Sequence, residues 1–232
     1  MRSHNLFTLT ILSASFLFVS FLINSEPSLE EVVVTARKTD ENLRDVPIAI
    51  SAFTTSEIQD AGIERPEDFI ALTPNVVMAN TVNVGDTLVT IRGLTSTRDA
   101  ESNFAFVVDG VLQTNPNGFN RELLDIAQIE VLKGPQGALY GRNATSGAII
   151  ITTRKPTAES ESSVVFGAGN NSSNKMQGVF SGKLSDNVFA RLTVSSRETD
   201  GELLNDFTNT NNVDFFEDTT VRGRLLIDKD DS

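Results

Sequence analysis

Apolar and polar residues alternate one by one along the last third of the chain. The alternation runs through 175–184, 188–195 and 221–227, and it places successive side chains on opposite faces of an extended strand. Ser185–Asn187 is predicted to be a turn between the first two segments, and Ser163–Gly169 an earlier strand of the same set. Such two-faced strands are typical of outer-membrane barrels, although soluble antiparallel sheets also alternate. The pattern therefore predicts an antiparallel sheet and leaves its surroundings open.

The region before Pro156 predicts a mixture of strands and short helices. Strands are predicted for apolar, β-branched runs at Val46–Phe53, Leu88–Leu94, Phe104–Leu112, Ile129–Leu132 and Ala148–Thr153. Helices are predicted where a cap or a proline precedes an apolar stripe, at Thr54–Gln59, from Pro66, and at Arg121–Ile126. Together these elements predict an α+β domain with a mixed sheet over 41–156, a typical size for one core.

The first 25 residues have the character of a targeting segment. Arg2 precedes an apolar run from Leu6 to Ile23, and the small residue Ser25 follows at a plausible cleavage position. We therefore predict a signal peptide over 1–25. The alternative is an uncleaved anchor, because the run is close to the ~20 residues that span a bilayer. Export follows from both interpretations.

A short β-branched run, EEVVVTA at Glu30–Ala36, lies close to the predicted cleavage site. A charged stretch, Arg37–Glu41, separates it from the α+β domain. A strand on a polar tether can add to the open edge of another protein's sheet. The alternative is that it forms the first strand of its own domain, and the spacing alone leaves both roles open.

Closely spaced glycines mark the segment 129–156, which reads IEVLKGPQGALYGRNATSGAIIITTRKP. No Gly-Lys-Ser/Thr closes the run, so the segment is not a nucleotide phosphate loop. It closely resembles the end of the plug domain of TonB-dependent outer-membrane receptors, where the pattern E-V-L-K-G-P-x-x-x-L-Y-G-R-N-x-x-x-G-x-I-x-I precedes the barrel. I-R-G at 91–93, V-D-G-V at 108–111 and L-Y-G-R at 139–142 follow in the order expected of a plug.

The resemblance implies a role for several residues. The run that would bind TonB, the TonB box, consists of Glu30, Glu31, Val32, Val33, Val34, Thr35 and Ala36. Candidate plug–barrel contacts are Arg92, Glu130 and Arg142, for which ion pairs within the plug are an equal alternative. The glycines predicted to serve backbone geometry rather than ligand contact are Gly93, Gly110, Gly134, Gly137 and Gly141. Polar loops at 81–86, 95–103 and 113–120 are the candidate ligand contacts or simply solvated turns.

Composition excludes several kinds of site. The chain has no cysteine, and its single histidine, His4, lies in the predicted signal peptide. Disulfides, thiolate metal sites and histidine-based catalysis are therefore not expected in the mature chain. A net charge of −12 argues against nucleic acid as a partner. We predict no catalytic residue, no metal and no cofactor, and a secreted enzyme has little support.

The expected organisation is a signal peptide (1–25), a TonB box and linker (26–40), a plug (41–156) and about four barrel strands (157–232). Four strands cannot close a barrel, because outer-membrane barrels have about eight or more strands. The resemblance thus implies the N-terminal portion of a TonB-dependent receptor in the cell outer membrane. Such receptors import scarce nutrients, most commonly iron–siderophore complexes, using TonB and its inner-membrane energising complex, with the plug facing the periplasm. The alternative is a stand-alone periplasmic plug-like protein that binds TonB or ligand without transport.

Overall fold

Seven stretches of the chain are described by the structure, a computed structural model. They are 32–35, 38–39, 41–81, 87–97, 100–115, 118–208 and 213–229. The predicted signal peptide, together with Glu30, Glu31 and Ala36 of the predicted TonB box, lies outside them. No helix in these stretches is long and apolar enough to cross a membrane.

Strands dominate the described residues, and only three short α-helices accompany them. The strands are β1 (Val33–Val34), β2 (Glu41–Asn42), β3 (Ala49–Thr54), β4 (Val76–Asn80), β5 (Thr87–Ile91), β6 (Leu94–Thr95), β7 (Phe104–Val108), β8 (Val111–Gln113), β9 (Ile126–Lys133), β10 (Gly147–Thr153), β11 (Glu161–Ala168), β12 (Asn174–Ser185), β13 (Val188–Thr199) and β14 (Phe216–Ile227). The helices are α1 (Thr55–Asp60), α2 (Pro66–Ala71) and α3 (Gly137–Tyr140).

The region predicted to be the plug, residues 41–156 and called the plug below, is built on a five-stranded mixed sheet of order β3-β9-β10-β7-β8. Only the pairing of β10 with β7 is parallel, and the others are antiparallel. Strand β10 is buried on both faces because Ile149 and Ile151 enter one core cluster while Ala148 and Ile150 enter the other. Full burial of each isoleucine contributes about 1.5–3 kcal/mol. The prediction of an α+β domain with a mixed sheet, and of a strand in this segment, is confirmed.

Helix α1 begins as its cap residues predict, since Thr54 and Glu57 form the reciprocal capping box. The predicted helix over Arg121–Ile126 is wrong: no helix is present there, and β9 already begins at Ile126. Tertiary hydrogen bonds hold this segment instead, because Leu123 N donates to the Glu64 carbonyl and Arg154 N to that of Asp125. Asp125 itself has a φ of 53°, which no helix accommodates.

The predicted strand Leu88–Leu94 is also wrong in its length. Strand β5 ends at Ile91, and the chain turns at Arg92 and Gly93, whose φ values are 51° and 82°. After this turn β6 returns antiparallel to β5, and β4 pairs along the other edge of β5. The three strands form a second, smaller sheet of the plug.

The strands β11–β14, which we call the wall, form an antiparallel sheet in sequence order. This confirms the antiparallel sheet that the alternation predicts, and the turn between β12 and β13 lies at the predicted position. One face of the wall exposes a continuous set of large apolar side chains: Val164, Phe166, Met176, Phe180, Leu184, Leu192, Val221, Leu225 and Ile227. The other face buries the polar side chains of Ser181, Arg191, Thr193 and Ser195, and the last three of these contact the plug. The outer face of the wall is therefore mainly apolar and the inner face mainly polar, although Val165, Val179 and Leu226 also lie on the inner face.

Gly147 is required by close packing at the start of β10. A Cβ on this residue would collide with the Leu132 carbonyl oxygen on the paired strand and lie 3.2 Å from Ile91 Cδ1. We expect Gly147→Ala to destabilise the plug by about 1–3 kcal/mol, measured by denaturant unfolding in detergent. Gly137→Ala is the control: its Cβ would meet nothing within 4 Å, and its helical position favours alanine. Equal losses in both variants would contradict this reading.

Candidate functional site

The N-terminal strand β1 is folded back onto the plug. It pairs antiparallel with β2, and Leu43 N donates to the Val32 carbonyl. Val34 is buried, whereas Val33 is 47% exposed. The described part of the predicted TonB box thus already forms a strand.

Two side chains from β9 hold the strand β1 by its backbone. Gln128 Nε2 donates to the Val33 carbonyl at 2.7 Å, and Thr35 N and Oγ1 both donate to Glu130 Oε1 at 2.9 Å. Because residues two apart in a strand direct their backbone groups to the same edge, Gln128 and Glu130 occupy positions that a pairing strand would take. We call this pair of contacts the β1 clamp. A second strand can add at this edge only after the clamp opens.

Glu130 also influences the only tyrosine of the chain. Burial, with a smaller contribution from the charge of Glu130, raises the pKa of Tyr140 to about 12. Tyr140 packs against a core cluster of the plug, and Lys38 Nζ lies 5.7 Å from the centre of its ring. The ring is thus a neutral packing element at ordinary pH.

A row of donors on β13 faces carboxylates of the plug. Alternate residues of the strand contribute to it, as the period of two requires. Arg191 and Thr193 donate to Asp125, Ser195 Oγ donates to Glu122 at 3.2 Å, and Arg197 Nη1 donates to Glu64 at 2.7 Å. Lys175 on the neighbouring β12 also donates to Glu64. These contacts, the β13 ladder, join the wall to the plug along the length of the strand.

The most buried contact of the β13 ladder is the ion pair of Arg191 with Asp125. Its two bonds, Nε to Oδ2 at 2.6 Å and Nη2 to Oδ1 at 2.7 Å, form a parallel fork, and the side chains are only 2% and 5% exposed. Arg191 Nη1 also donates to Glu161 on β11 at 2.8 Å. Burial opposes the charged form of Asp125, but the hydrogen bonds and charge of Arg191 outweigh it and hold the pKa of Asp125 below its ordinary value.

This lowered pKa makes the plug–wall contact acid-sensitive. The folded-state pKa of Asp125 lies below the unfolded-state value, so its contribution to stability is present above ~pH 4 and is lost as pH falls through the lowered pKa. We expect the unfolding free energy of the wild type to fall more steeply than that of Asp125→Asn below ~pH 4, in denaturant titrations from ~pH 6 to ~pH 2. Parallel pH profiles for the two proteins would contradict the assignment.

Strand β14 adds two arginines to the contact with the plug. Arg222 Nη1 donates to the Leu124 carbonyl, and Arg224 Nη1 donates to the carbonyls of Thr153 and Arg154 at 2.8 and 3.1 Å. Arg224 also lies 3.5 Å from the carboxylate of Asp109. Arginine suits this position because its planar fork can serve several acceptors at once.

The three residues predicted as plug–barrel contacts make their described contacts inside the plug or with β1. Arg142 forms an exposed ion pair with Glu101 at 3.3 Å, and Glu130 accepts from Thr35. The Arg92 guanidinium lies beside Gly134. Burial of Lys133 lowers the pKa of that lysine, and the charge of Arg92 contributes a smaller lowering. Their assignment to barrel contacts stays a prediction.

The sequence predicts only some of the residues that join the wall to the plug. The alternation along β13 shows that every second residue from Arg191 onward is polar, and these residues include Arg191, Thr193 and Ser195. Their partners Glu122 and Asp125 are not predicted, because they lie in the segment mispredicted as a helix. Glu64 lies in a connection between two helices and carries no local signal.

The glycines singled out from the sequence differ in backbone conformation. Positive φ values occur at Gly93, Gly110, Gly134 and Gly141, whereas Gly137 lies in α3. Parts of the three candidate ligand loops (82–86, 98–99 and 116–117) lie outside the described residues. Within the described ranges, no group of three or more histidine, cysteine, aspartate or glutamate side chains is placed to hold a metal ion.

Comparison with known proteins identifies the family of the plug. Residues 42–148 match the family model described as TonB-dependent receptor plug domain. The pesticin receptor of Yersinia pestis is 26% identical over 203 residues, covering 85% of this chain and 30% of the relative. The vitamin B12 transporter BtuB of Vibrio vulnificus (strain YJ016) is 27% identical over 232 residues, covering 97% of this chain and 37% of the relative. The chain thus spans about a third of these relatives.

Solved structures give the same result for the fold. The ferric yersiniabactin uptake receptor FyuA from Yersinia pestis superposes with a TM-score of 0.73 at 25% sequence identity. The match covers 79% of this chain and 29% of that receptor, and therefore extends beyond the plug. Residues 42–148 therefore match a TonB-dependent receptor plug domain, and the chain as a whole is similar in sequence and in fold to TonB-dependent receptors.

Proposed function

We propose that this chain is the N-terminal portion of a TonB-dependent outer-membrane receptor that imports a scarce nutrient, specifically an iron–siderophore complex. The proposed division is a signal peptide, a TonB box with linker at 26–40, a plug at 41–156 and the first barrel strands at 157–232. The observation that carries the proposal is the wall, which is apolar on its free face and polar toward the plug. A soluble sheet buries its apolar face, whereas a barrel strand in lipid exposes it.

TonB is the partner that the family implies for the strand β1. A TonB strand would add to the edge of β1 now covered by Gln128 and Glu130, with backbone hydrogen bonds providing affinity. Its arrival therefore competes with the β1 clamp. This geometry favours an orientation in which the plug and β1 face the periplasm, where TonB acts.

The relatives' names support small metal complexes and cofactors as the class of cargo. They include a ferrichrome transporter of Escherichia coli K12 and a vitamin B12 transporter. Iron chelates are our choice within this class because FyuA, the structural match quoted above, is a ferric yersiniabactin receptor.

The proposal is tested by locating the protein and measuring uptake. An antibody against residues 37–41 is used on separated outer-membrane and periplasmic fractions of cells that express the protein from its own gene. Uptake of radioactive iron chelates is then measured with and without an uncoupler of the proton-motive force. Outer-membrane location with uncoupler-sensitive uptake supports transport. A periplasmic protein that binds TonB without uptake would support the stand-alone plug instead.

A further inference from the structure

The charged residues of the wall are sorted by sign as well as by face. Every lysine and arginine of β12–β14 occupies one of the alternate positions on the side of the strand that faces the plug. These residues are Lys175, Lys183, Arg191, Arg197, Arg222 and Arg224. Only two acids, Glu161 and Asp218, share that face within β11–β14. The inner face is thus strongly positive, although the whole chain carries a net charge of −12.

Most hydrogen bonds and ion pairs across this face have one direction, and a described exception is Arg154 of the plug, which lies 3.7 Å from Glu161 of the wall. In the bonds of the β13 ladder and of Arg222 and Arg224, the wall donates, and carboxylates or carbonyls of the plug accept. A cavity of about 360 Å³ lies between the two parts, lined by charges of both signs, including Glu64, Arg154 and Lys175. Polar contacts beside such a cavity can be exchanged for water as the plug moves.

Displacement of the plug would change the electrostatics of this face. This step rests on the proposed function and assumes in addition that import requires the plug to move out of the path of the cargo. The plug would take its acceptors with it, and the wall would retain its donors and its positive charge. A surface of one sign backed by a low-dielectric membrane concentrates ions of the opposite sign and repels those of its own.

We propose that the inner face of β12–β14 is a permeation surface selective for anionic cargo, specifically a metal chelate with net negative charge. Arginine and lysine donors would replace part of the hydration of its carboxylate or phenolate oxygens during passage. A neutral or cationic chelate would gain no such interaction. The same cations thus hold the plug in the closed state and attract the cargo in the open one.

Lys175, Arg197 and Glu64 allow these two roles to be separated. Both cations contact Glu64, and the side chains are about a quarter to a third exposed, so substitution leaves no deeply buried charge unpaired. Lys175→Gln with Arg197→Gln breaks this contact and removes wall charge. Glu64→Gln weakens the same contact and keeps the wall charge. The exchange Lys175→Arg with Arg197→Lys keeps both.

The experiment measures energised radioiron uptake in cells with this protein as their only iron receptor. The probes are ferric citrate (anionic), ferrichrome (neutral) and ferrioxamine B (cationic), with surface binding measured after an uncoupler. We expect the wild type to take up the anionic probe. In the double glutamine variant only, the rate of this uptake should fall about 3- to 10-fold while surface binding stays unchanged. Preferential uptake of the neutral or cationic probe, or equal losses in Glu64→Gln, would overturn the inference and leave transport standing. No energised uptake of any probe would overturn the proposed function as well.

Discussion

The Val33→Pro variant is expected to bind the periplasmic domain of TonB about 10- to 100-fold more weakly than the wild type. Proline removes the Val33 N–H and cannot take part fully in a strand ladder, so an added TonB strand loses a hydrogen bond and its regular register. Calorimetric titration of the detergent-solubilised protein with that TonB domain measures the loss.

The matched control at this position is Val33→Thr, which keeps the β-branch and the backbone N–H. It should bind TonB nearly as well as the wild type. Val33 is about half exposed and lies outside the core clusters of the plug, so the unfolding midpoint should be similar in all three proteins. Undiminished TonB binding by the proline variant would disprove the assignment of the box.

Loss of the buried ion pair should produce the largest effect on stability. Arg191→Met leaves the Asp125 carboxylate buried without its principal partner, and we expect a loss of about 3–5 kcal/mol in the free energy of unfolding. This loss is measured by denaturant titration in detergent, with the sensitivity of the plug to protease as the signal for unfolding.

Two comparisons separate the buried charge from the change in shape. Arg197→Met makes the same substitution three periods of the alternation further along β13, where the pair with Glu64 is about a third exposed, and should cost about 1 kcal/mol or less. Arg191→Met combined with Asp125→Asn removes both charges and should be more stable than Arg191→Met alone. A double variant as unstable as the single one would show that packing, not the unpaired carboxylate, is responsible.

The plug–wall contact would allow stability of the closed state to coexist with the proposed displacement of the plug. Its described hydrogen bonds and ion pairs are polar, and their solvent exposure increases from the buried Arg191–Asp125 pair to the partly exposed contacts of Glu64 with Lys175 and Arg197. Separation of such surfaces exposes groups that water can hydrate, whereas separation of an apolar core would not. We therefore expect the Arg191–Asp125 pair to be the principal barrier to release of the plug from this part of the wall.

Local patterns were sufficient for most of the secondary structure. The capping box of Thr54 and Glu57, the two-sided apolar run of β10 and the alternation of β12–β14 each act through neighbours in the chain, so each is legible in the sequence. The glycine-rich segment before β10 similarly carried the family resemblance. The orientation of the wall, apolar outward, follows from the same alternation once the plug lies on one side.

The tertiary structure alone decided which charges meet. Asp125 and Arg191 are 66 residues apart, and Thr35 and Glu130 are 95 apart, so no local pattern connects them. The segment 121–126 has helix-compatible residues, but hydrogen bonds to Glu64 and Arg154 outweigh that weak preference. The sequence by itself therefore determined most of the strands, the two faces of the wall and the family resemblance, because these depend on periodicity and motif. The β1 clamp and the β13 ladder depend on contacts between distant segments, which only the folded chain brings together.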